Sequence, residues 1–185
     1  MTVAQLDEAD ARQIASRIAA RSNLLDVRGA SVQADLIQAP AQGRRLTYAL
    51  EPEVSYDFDA DEPGRLVVQA TFDLRLSMIP HKPEASDGDH EVSTDVTSSA
   101  DEEVEDDSDL VATLRFDLQA YFSLEMRDDD APADDEEIEA FAQTTGLFAL
   151  WPFAREWAHD LTGRLGLPPL TLGVRFIPVD GPADR

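Results

Sequence analysis

The chain has 185 residues, no cysteine and a formal net charge of −23, and this length fits one domain with a sizeable core. Without cysteine the chain has no disulfide framework, no thiolate nucleophile and no thiolate metal site. So large an excess of negative charge repels phosphate backbones, and we therefore expect no binding to nucleic acid.

The N-terminal segment is predicted to form a helix over about residues 6–21. Leu6, Ile14 and Ile18 lie near one face of this helix among alanines, so its apolar stripe is thin. The N-terminus has neither the basic nor the apolar region of a secretion signal. No stretch of the chain approaches the roughly 18 apolar residues that span a membrane. We therefore predict a cytoplasmic protein without membrane insertion, with an N-terminal helical extension over residues 1–22.

Four strand-like segments follow, and each alternates apolar with polar side chains. The first covers about residues 26–37 and stops at Ala39-Pro40, and the second covers about residues 51–59. The third and fourth cover about residues 66–78 and 110–124. Alternation of this kind indicates a sheet with one buried face and one face in water. Because the connections permit each strand to pair with the next, we expect a four-stranded antiparallel meander.

The segment between the third and fourth strands is strongly acidic. Residues 80–109 contain twelve acids and one lysine, and a second acidic segment, residues 128–137, contains seven acids and no base. The first segment has almost no large apolar side chain, so it cannot bury enough surface to offset the entropy cost of ordering. We therefore predict a disordered acidic insertion over residues 80–109 in an otherwise ordinary domain.

Two helices are predicted after the fourth strand. Asp134 or Asp135 can cap the first, which we expect to run through Ala142 and to stop at Gly146. Proline is tolerated only near a helix start, so Pro152 predicts that the second regular helix begins close to it, around residue 151. Apolar residues follow a three-and-four spacing along that helix: Leu147, Leu150, Trp151, Ala154, Trp157, Leu161 and Leu165. Strands followed by helices are typical of an α+β fold, here with the helices packed on one face of the sheet.

The sequence predicts no catalytic residue, no metal site and no cofactor. His81 and His90 lie in the acidic insertion, where such residues are more often solvated than bound to metal. His159 follows Glu156 on the last predicted helix, and such a pair can act as a general base, but surface spacing explains it more simply. The charge run over residues 101–109 can also mimic nucleic acid and inhibit a DNA-binding partner, although such runs are more often solvated tails. Deleting residues 84–109 is expected to abolish the function of such a mimic.

Several segments resemble the SecB family of export chaperones. Residues 150–156 read L-W-P-F-A-R-E, similar to the family's L-F-P-Y-A-R-E, and residues 167–172 read L-P-P-L-T-L, similar to its F-P-x-L-x-L. Shorter similarities lie in residues 52–59, at Ala39-Pro40 and in residues 122–124. These segments follow the order of the family and agree with the layout read from the residues. We therefore predict a SecB-like domain over residues 23–178, followed by a tail over residues 179–185.

The resemblance implies an ATP-independent holdase that binds unfolded preproteins during protein export. It also implies a homotetramer built as a dimer of dimers, in which Leu114, Phe116 and Leu118 face the contact between dimers. The same three residues are also expected if this side of the strand simply faces the core of the single chain. The resemblance further implies an apolar client groove formed by the last helix, residues 167–172 and the sheet. Its predicted residues are Leu50, Trp151, Phe153, Trp157, Leu167 and Leu170.

The chain departs from the family at the surface that docks the motor ATPase SecA. In the family this surface is an acidic patch on the exposed face of the sheet. The corresponding positions here are Ala34, Gln38, Thr113 and Arg115, and none is acidic. The resemblance therefore does not extend to SecA docking. The N-terminal helix and acidic insertion are more similar to the SecB-like chaperones of toxin–antitoxin systems, so the predicted partner is either unfolded preproteins or a dedicated antitoxin.

Overall fold

The computed structural model describes residues 8–59, 61–62, 64–79, 109–125 and 133–174. The elements in chain order are α1 (Glu8–Ala19), β1 (Ser22–Leu36), β2 (Leu46–Phe58), β3 (Arg65–Met78), β4 (Leu110–Leu124), α2 (Asp135–Phe141), a π-helical turn (Ala142–Gly146) and α3 (Leu147–Arg164). Apart from Asp109, the predicted acidic insertion lies outside the described residues, together with His81, His90 and the predicted tail. The alternative of a nucleic-acid mimic therefore stays a prediction.

The four strands form one antiparallel sheet in the order β1-β4-β3-β2. The predicted antiparallel sheet with helices on one face is confirmed, but the meander is correct only for β2, β3 and β4. β1 instead pairs with β4, from Ser22 opposite Leu124 to Leu36 opposite Ala112. Pro52 of β2 gives a physical reason for this order. Proline has no N–H for the ladder and belongs on an edge strand, whereas a meander would have placed β2 between two strands.

The central strands β3 and β4 supply the sheet half of the core. Their side chains on the helical face are buried: Leu66, Val68, Ala70, Phe72, Leu74, Leu76, Ala112, Leu114, Phe116, Leu118, Ala120 and Phe122. The opposite face is polar, and there Gln119 donates to Gln69 at 2.9 Å. One dry and one wet face agree with the alternation in the sequence.

The helical segment after β4 is more continuous than predicted. Asp134 is the N-cap of α2 as expected, and it forms a capping box with Glu137. Gly146 does not stop a helix, because the chain continues through the π-helical turn into α3. Instead, a side chain at this position would clash, since a Cβ would lie 2.8 Å from a methyl carbon of Val68. Pro152 also lies inside α3 rather than at its start, at an exposed position where the missing hydrogen bond costs less than it would in the core.

Helix α1 packs against α2 and the π-helical turn. It ends at Ala19, two residues before the predicted end, and its predicted start lies in residues 1–7, outside the described part of the chain. Ala15 and Ile18 are buried in the same core cluster as the side chains of α2. The Arg17 guanidinium donates to the Glu137 carboxylate. Glu137, which completes the capping box of α2, therefore also binds α1.

Candidate functional site

One flank of α3 faces the edge strand β1. Trp157 packs directly over Gly29, because a Cβ on this glycine would lie only 2.3 Å from two carbons of the indole ring. The same ring lies 5.7 Å from the ring of Phe116, measured between centroids. Phe153 lies one helical turn before Trp157 on this flank and remains 37 % exposed. This flank therefore carries one packed and one open aromatic side chain.

The other flank of α3 holds residues 167–174, which we call the strap. Three side chains of α3 bind its main chain. The bonds, each 2.9 Å long, run from Trp151 Nε1 to the carbonyl of Gly173, from Arg155 Nε to the carbonyl of Leu172, and from the N–H of Leu170 to Thr162 Oγ1. Leu167 and Leu172 are buried in the core cluster beneath this flank. The strap therefore covers one end of the sheet.

The structure brings together four of the six residues predicted for the client groove. These four are Leu50, Trp151, Leu167 and Leu170, which pack in or against the core cluster under the strap. Trp157 lies on the opposite flank of α3, and Phe153 is exposed there. The predicted set is thus divided between two surfaces. That clients bind at either surface stays a prediction.

The three residues predicted for the oligomer contact lie inside the chain. Leu114, Phe116 and Leu118 are between 0 and 1 % exposed and pack in its core. A side chain without accessible surface cannot contact a partner directly, so the structure corrects their assignment to an interface. The alternation of the strand cannot separate the two interpretations, because both require the same buried face.

The polar face of the sheet carries charges of both signs. Thr113 and Arg115 lie on this face, and Arg115 Nη1 is 3.3 Å from a carboxylate oxygen of Asp73. Ala34, by contrast, packs against the core on the helical face, and the Gln38 amide donates to a main-chain carbonyl of β4 at 2.7 Å. The four positions aligned with the SecA-docking patch therefore do not form one exposed acidic surface.

Asp117 of β4 links the two neighbouring strands on the polar face. The hydroxyl of Ser31 donates to this carboxylate from β1, and the hydroxyl of Thr71 donates from β3 at 2.7 Å. These two bonds favour the ionised carboxylate and hold the pKa of Asp117 below its usual value. The stability they provide is present above the ordinary carboxylate pKa and is lost as the pH falls through the lowered one.

The remaining candidates for chemistry lie on the surface. His159 and Glu156 are both exposed on α3. Within the described ranges, no group of three or more His, Asp or Glu side chains is arranged to hold a metal ion. Among the helices of that same part of the chain, none is long and apolar enough to cross a membrane.

No protein-family model matches the chain. Two curated relatives from Mycobacterium tuberculosis are the SecB-like chaperones Rv1957, of strain H37Rv, at 34 % identity, and MT2006, of strain CDC 1551, at 35 % identity. Each match spans 173 residues, which is 94 % of this chain and 88 % of the relative. The chain is also similar to a solved structure of the Rv1957 SecB-like chaperone in complex with a ChAD peptide from the Rv1956 HigA1 antitoxin. The TM-score is 0.68 at 32 % identity, and the match covers 90 % of this chain and 99 % of that one. The chain therefore belongs to the family of SecB-like chaperones.

Proposed function

We propose that this protein is an ATP-independent holdase that binds extended apolar segments of unfolded chains. Besides its family, the observation that carries this proposal is a set of large apolar side chains that the fold leaves exposed. Apolar side chains that lie together on a protein surface mark interaction sites. The exposed large apolar side chains of the described residues are Leu24, Leu25, Val32, Leu36, Ile37, Tyr48, Phe58, Ile79, Phe148, Phe153 and Val174. The predicted cytoplasmic location is part of this proposal.

Holding a client in this way requires no chemical step and no nucleotide. Each apolar contact is weak and tolerant of sequence, but several contacts on one client raise the overall affinity. Phe153 is a candidate for direct contact because its ring is open on α3. The net charge of −23 attracts basic client segments, so binding is expected to weaken as salt is added.

We further propose that the client is an antitoxin segment rather than exported preproteins in general. The solved relative holds a peptide from an antitoxin, and the mixed charges around Arg115 differ from an acidic SecA-docking patch. Affinities for an antitoxin ChAD peptide and for an unfolded preprotein, measured side by side, distinguish these clients. Tighter binding of the preprotein, together with capture of SecA, would instead support export.

Replacing Phe153 with aspartate tests the holdase. Suppressing the aggregation of a heat-unfolded client should require at least about threefold more of the Phe153→Asp variant than of the unmodified chain, because the change removes exposed aromatic surface. The measurement is light scattering without nucleotide. Phe58→Asp is the matched control, since Phe58 is a similarly exposed aromatic residue that lies at the end of β2 and not on α3, where the client contact is proposed. Aggregation that proceeds unchanged at a molar excess of the unmodified chain would contradict the holdase, and equal losses in both variants would contradict the role of Phe153.

We also propose that two copies associate along β1. In the described part of the sheet, β1 pairs only with β4, so its outer edge has no neighbouring strand. The opposite edge strand, β2, carries Pro52, Glu51 and Glu53, and such residues discourage pairing between edges. The edge at β1 instead exposes apolar side chains, which are Leu24, Leu25, Val32 and Leu36. A two-fold pair along β1 gives a dimer, and the predicted homotetramer then requires one further contact.

Replacing Val32 with lysine is expected to separate these copies. Val32 is 53 % exposed, so the change should leave the fold intact while placing a charge on the unprotected edge. The mass measured by light scattering should fall to about half at the same concentration, as expected for a two-fold contact. Glu53→Lys on β2 is the control and should leave the mass unchanged. An unchanged mass for Val32→Lys would contradict the β1 contact.

A further inference from the structure

The acidic insertion is attached to the sheet at one end. β3 ends at Met78 and β4 begins at Leu110, and these two ends are neighbours, since Ser77 pairs with Leu110. Residues 80–108 connect the two strands and lie outside the described part of the chain. The start of β2 and the end of β1 lie at the same end of the sheet. The surface around this end is therefore within reach of the insertion.

Four arginines lie at this end of the sheet, and we call them the basic collar. They are Arg44 and Arg45 just before β2, Arg75 near the end of β3 and Arg115 near the start of β4. Arg45, Arg75 and Arg115 are exposed. Arg75 and Arg115 lie on the polar face of the sheet and line the same recess. The collar therefore places positive charge where the acidic insertion is attached.

Arg44 contacts both ends of the insertion. Its Nη2 atom donates to the carbonyl of Ile79 at 2.7 Å and lies 3.8 Å from a carboxylate oxygen of Asp109. The N–H of Ile79 also donates to the carbonyl of Arg45 at 2.9 Å. Asp109 is the only acid of the insertion among the described residues. The acid that the structure describes is thus already paired with the collar.

The acid run, residues 101–107, is close enough to reach the rest of the collar. It contains six acids in seven residues and ends two residues before Asp109. Arg115 lies six residues after Asp109, which is roughly 20 Å along a strand. Residue 103 lies six residues before Asp109, and six residues extend over roughly the same 20 Å. The acid run can therefore lie back over the polar face as far as Arg115.

The charges around the collar decide which acidic segment it fits. Arg115 already lies 3.3 Å from Asp73, and Asp35 and Glu51 line the same recess. Exposed ion pairs here are individually weak, and the net charge of −23 repels an acidic partner from solution. A segment of the same chain overcomes this weakness, because tethering gives it an effective concentration of about a millimolar. The collar therefore fits the acid run of its own chain better than a separate acidic protein.

We infer that the basic collar is the docking site of the acid run, and that ion pairs within one chain hold the two together. The collar then competes with basic partners for the acid run. The apparent affinity for a basic segment is reduced by the fraction of chains in which the acid run is docked. This inference goes beyond the holdase, because it concerns the acidic insertion and not the exposed apolar side chains.

Proteolysis of the full chain measures the docking directly. Endoproteinase Glu-C cuts after glutamate, so cleavage within the acid run follows the population in which the run is undocked. Arg75→Gln combined with Arg115→Gln, the collar variant, should raise this cleavage rate at least about threefold at low salt. Arg28→Gln combined with Arg164→Gln is the control variant, since it removes the same charge from exposed arginines away from the collar. Equal rates in the collar variant and the unmodified chain would overturn the inference, as would an equal rise in both variants.

Salt separates ion pairing from other causes. The difference in cleavage rate between the collar variant and the unmodified chain should disappear at about 1 M salt, where the screening length is only about 3 Å. Both chains are measured in the same buffer, so an effect of salt on the protease cancels. A difference that persists at high salt would overturn docking by ion pairs.

A labelled oligolysine peptide tests the competition with basic partners. At low salt it should bind the collar variant at least about threefold more tightly than the control variant, as measured by fluorescence anisotropy. The two variants have the same net charge, so their general attraction for the peptide is matched. Deleting residues 101–107 from both variants should abolish the difference. A difference that survives the deletion would arise from direct repulsion by the arginines and would overturn the competition.

A second variant keeps the test decisive. If the collar variant loses its cooperative unfolding transition, Arg45→Gln replaces it under the same criterion, because Arg45 is exposed before the first residue of β2. Aggregation assays separate the inference from the holdase. Unchanged cleavage together with normal suppression of aggregation overturns the docking alone. Faster cleavage of the collar variant supports the docking even in a chain that does not suppress aggregation.

Discussion

Replacing Phe116 with alanine is expected to lower the free energy of unfolding by about 3–5 kcal/mol. Its ring is completely buried and stacks on Phe72, with 5.2 Å between the ring centroids and 20° between the planes. Trp157 packs against it from α3. Truncation therefore leaves a cavity between the sheet and the helix. The loss is a large fraction of the roughly 5–15 kcal/mol that stabilises a typical domain, and it is measured by urea unfolding.

The same measurement decides between the two roles considered for Phe116. Phe153→Ala is the matched control, because the same change on an exposed part of α3 should alter the free energy of unfolding by no more than about 0.5 kcal/mol. A subunit contact at Phe116 would give a different result, with a smaller oligomer and an almost unchanged stability of the single chain. That outcome would contradict the assignment of Phe116 to the core.

Alternation predicted the central strands well because β3 and β4 each have one dry and one wet face. β4 was predicted over residues 110–124 and covers Leu110–Leu124. β2 begins at Leu46, before its predicted start, and the alternation in fact reaches back that far, since Leu46, Tyr48 and Leu50 share the face of Pro52. Pro52 is a signal in the sequence that β2 lies at an edge, but the predicted meander did not take it into account. The pairing of β1 with β4 depends on contacts far apart in the sequence, so alternation alone did not predict it.

The candidate site was predictable in its residue types but not in its geometry. The spacing between Phe153 and Trp157 predicts a shared flank, but no pattern indicates that this flank meets Gly29. The strap is held through main-chain atoms, which leave no signature in the side chains. One signal was available, because Thr162 lies among apolar positions of the predicted helix. A buried hydroxyl requires a partner, and its partners are the chain before it and the strap after it.

Replacing Gly29 with alanine is expected to lower the free energy of unfolding by about 1–3 kcal/mol, the usual cost of overpacking. The added Cβ would lie 2.3 Å from the Trp157 ring, so the ring or the strand must move. Both movements lose packing, because the ring also contacts Phe116. Gly163→Ala is the matched control on α3. A Cβ there meets open space, so this change should stabilise the helix by up to about 1 kcal/mol.

A second substitution identifies the cause of the Gly29→Ala effect. If the clash with the indole ring causes the loss, Gly29→Ala should cost much less in a chain that already carries Trp157→Leu, and the two changes should be strongly non-additive. If the cost is the same with and without the ring, the loss arises within β1 itself. That result would contradict the close contact between α3 and β1. If Gly29→Ala lowers the free energy of unfolding only when Trp157 is present, the missing side chain at Gly29 sets the distance between the edge strand and the helix.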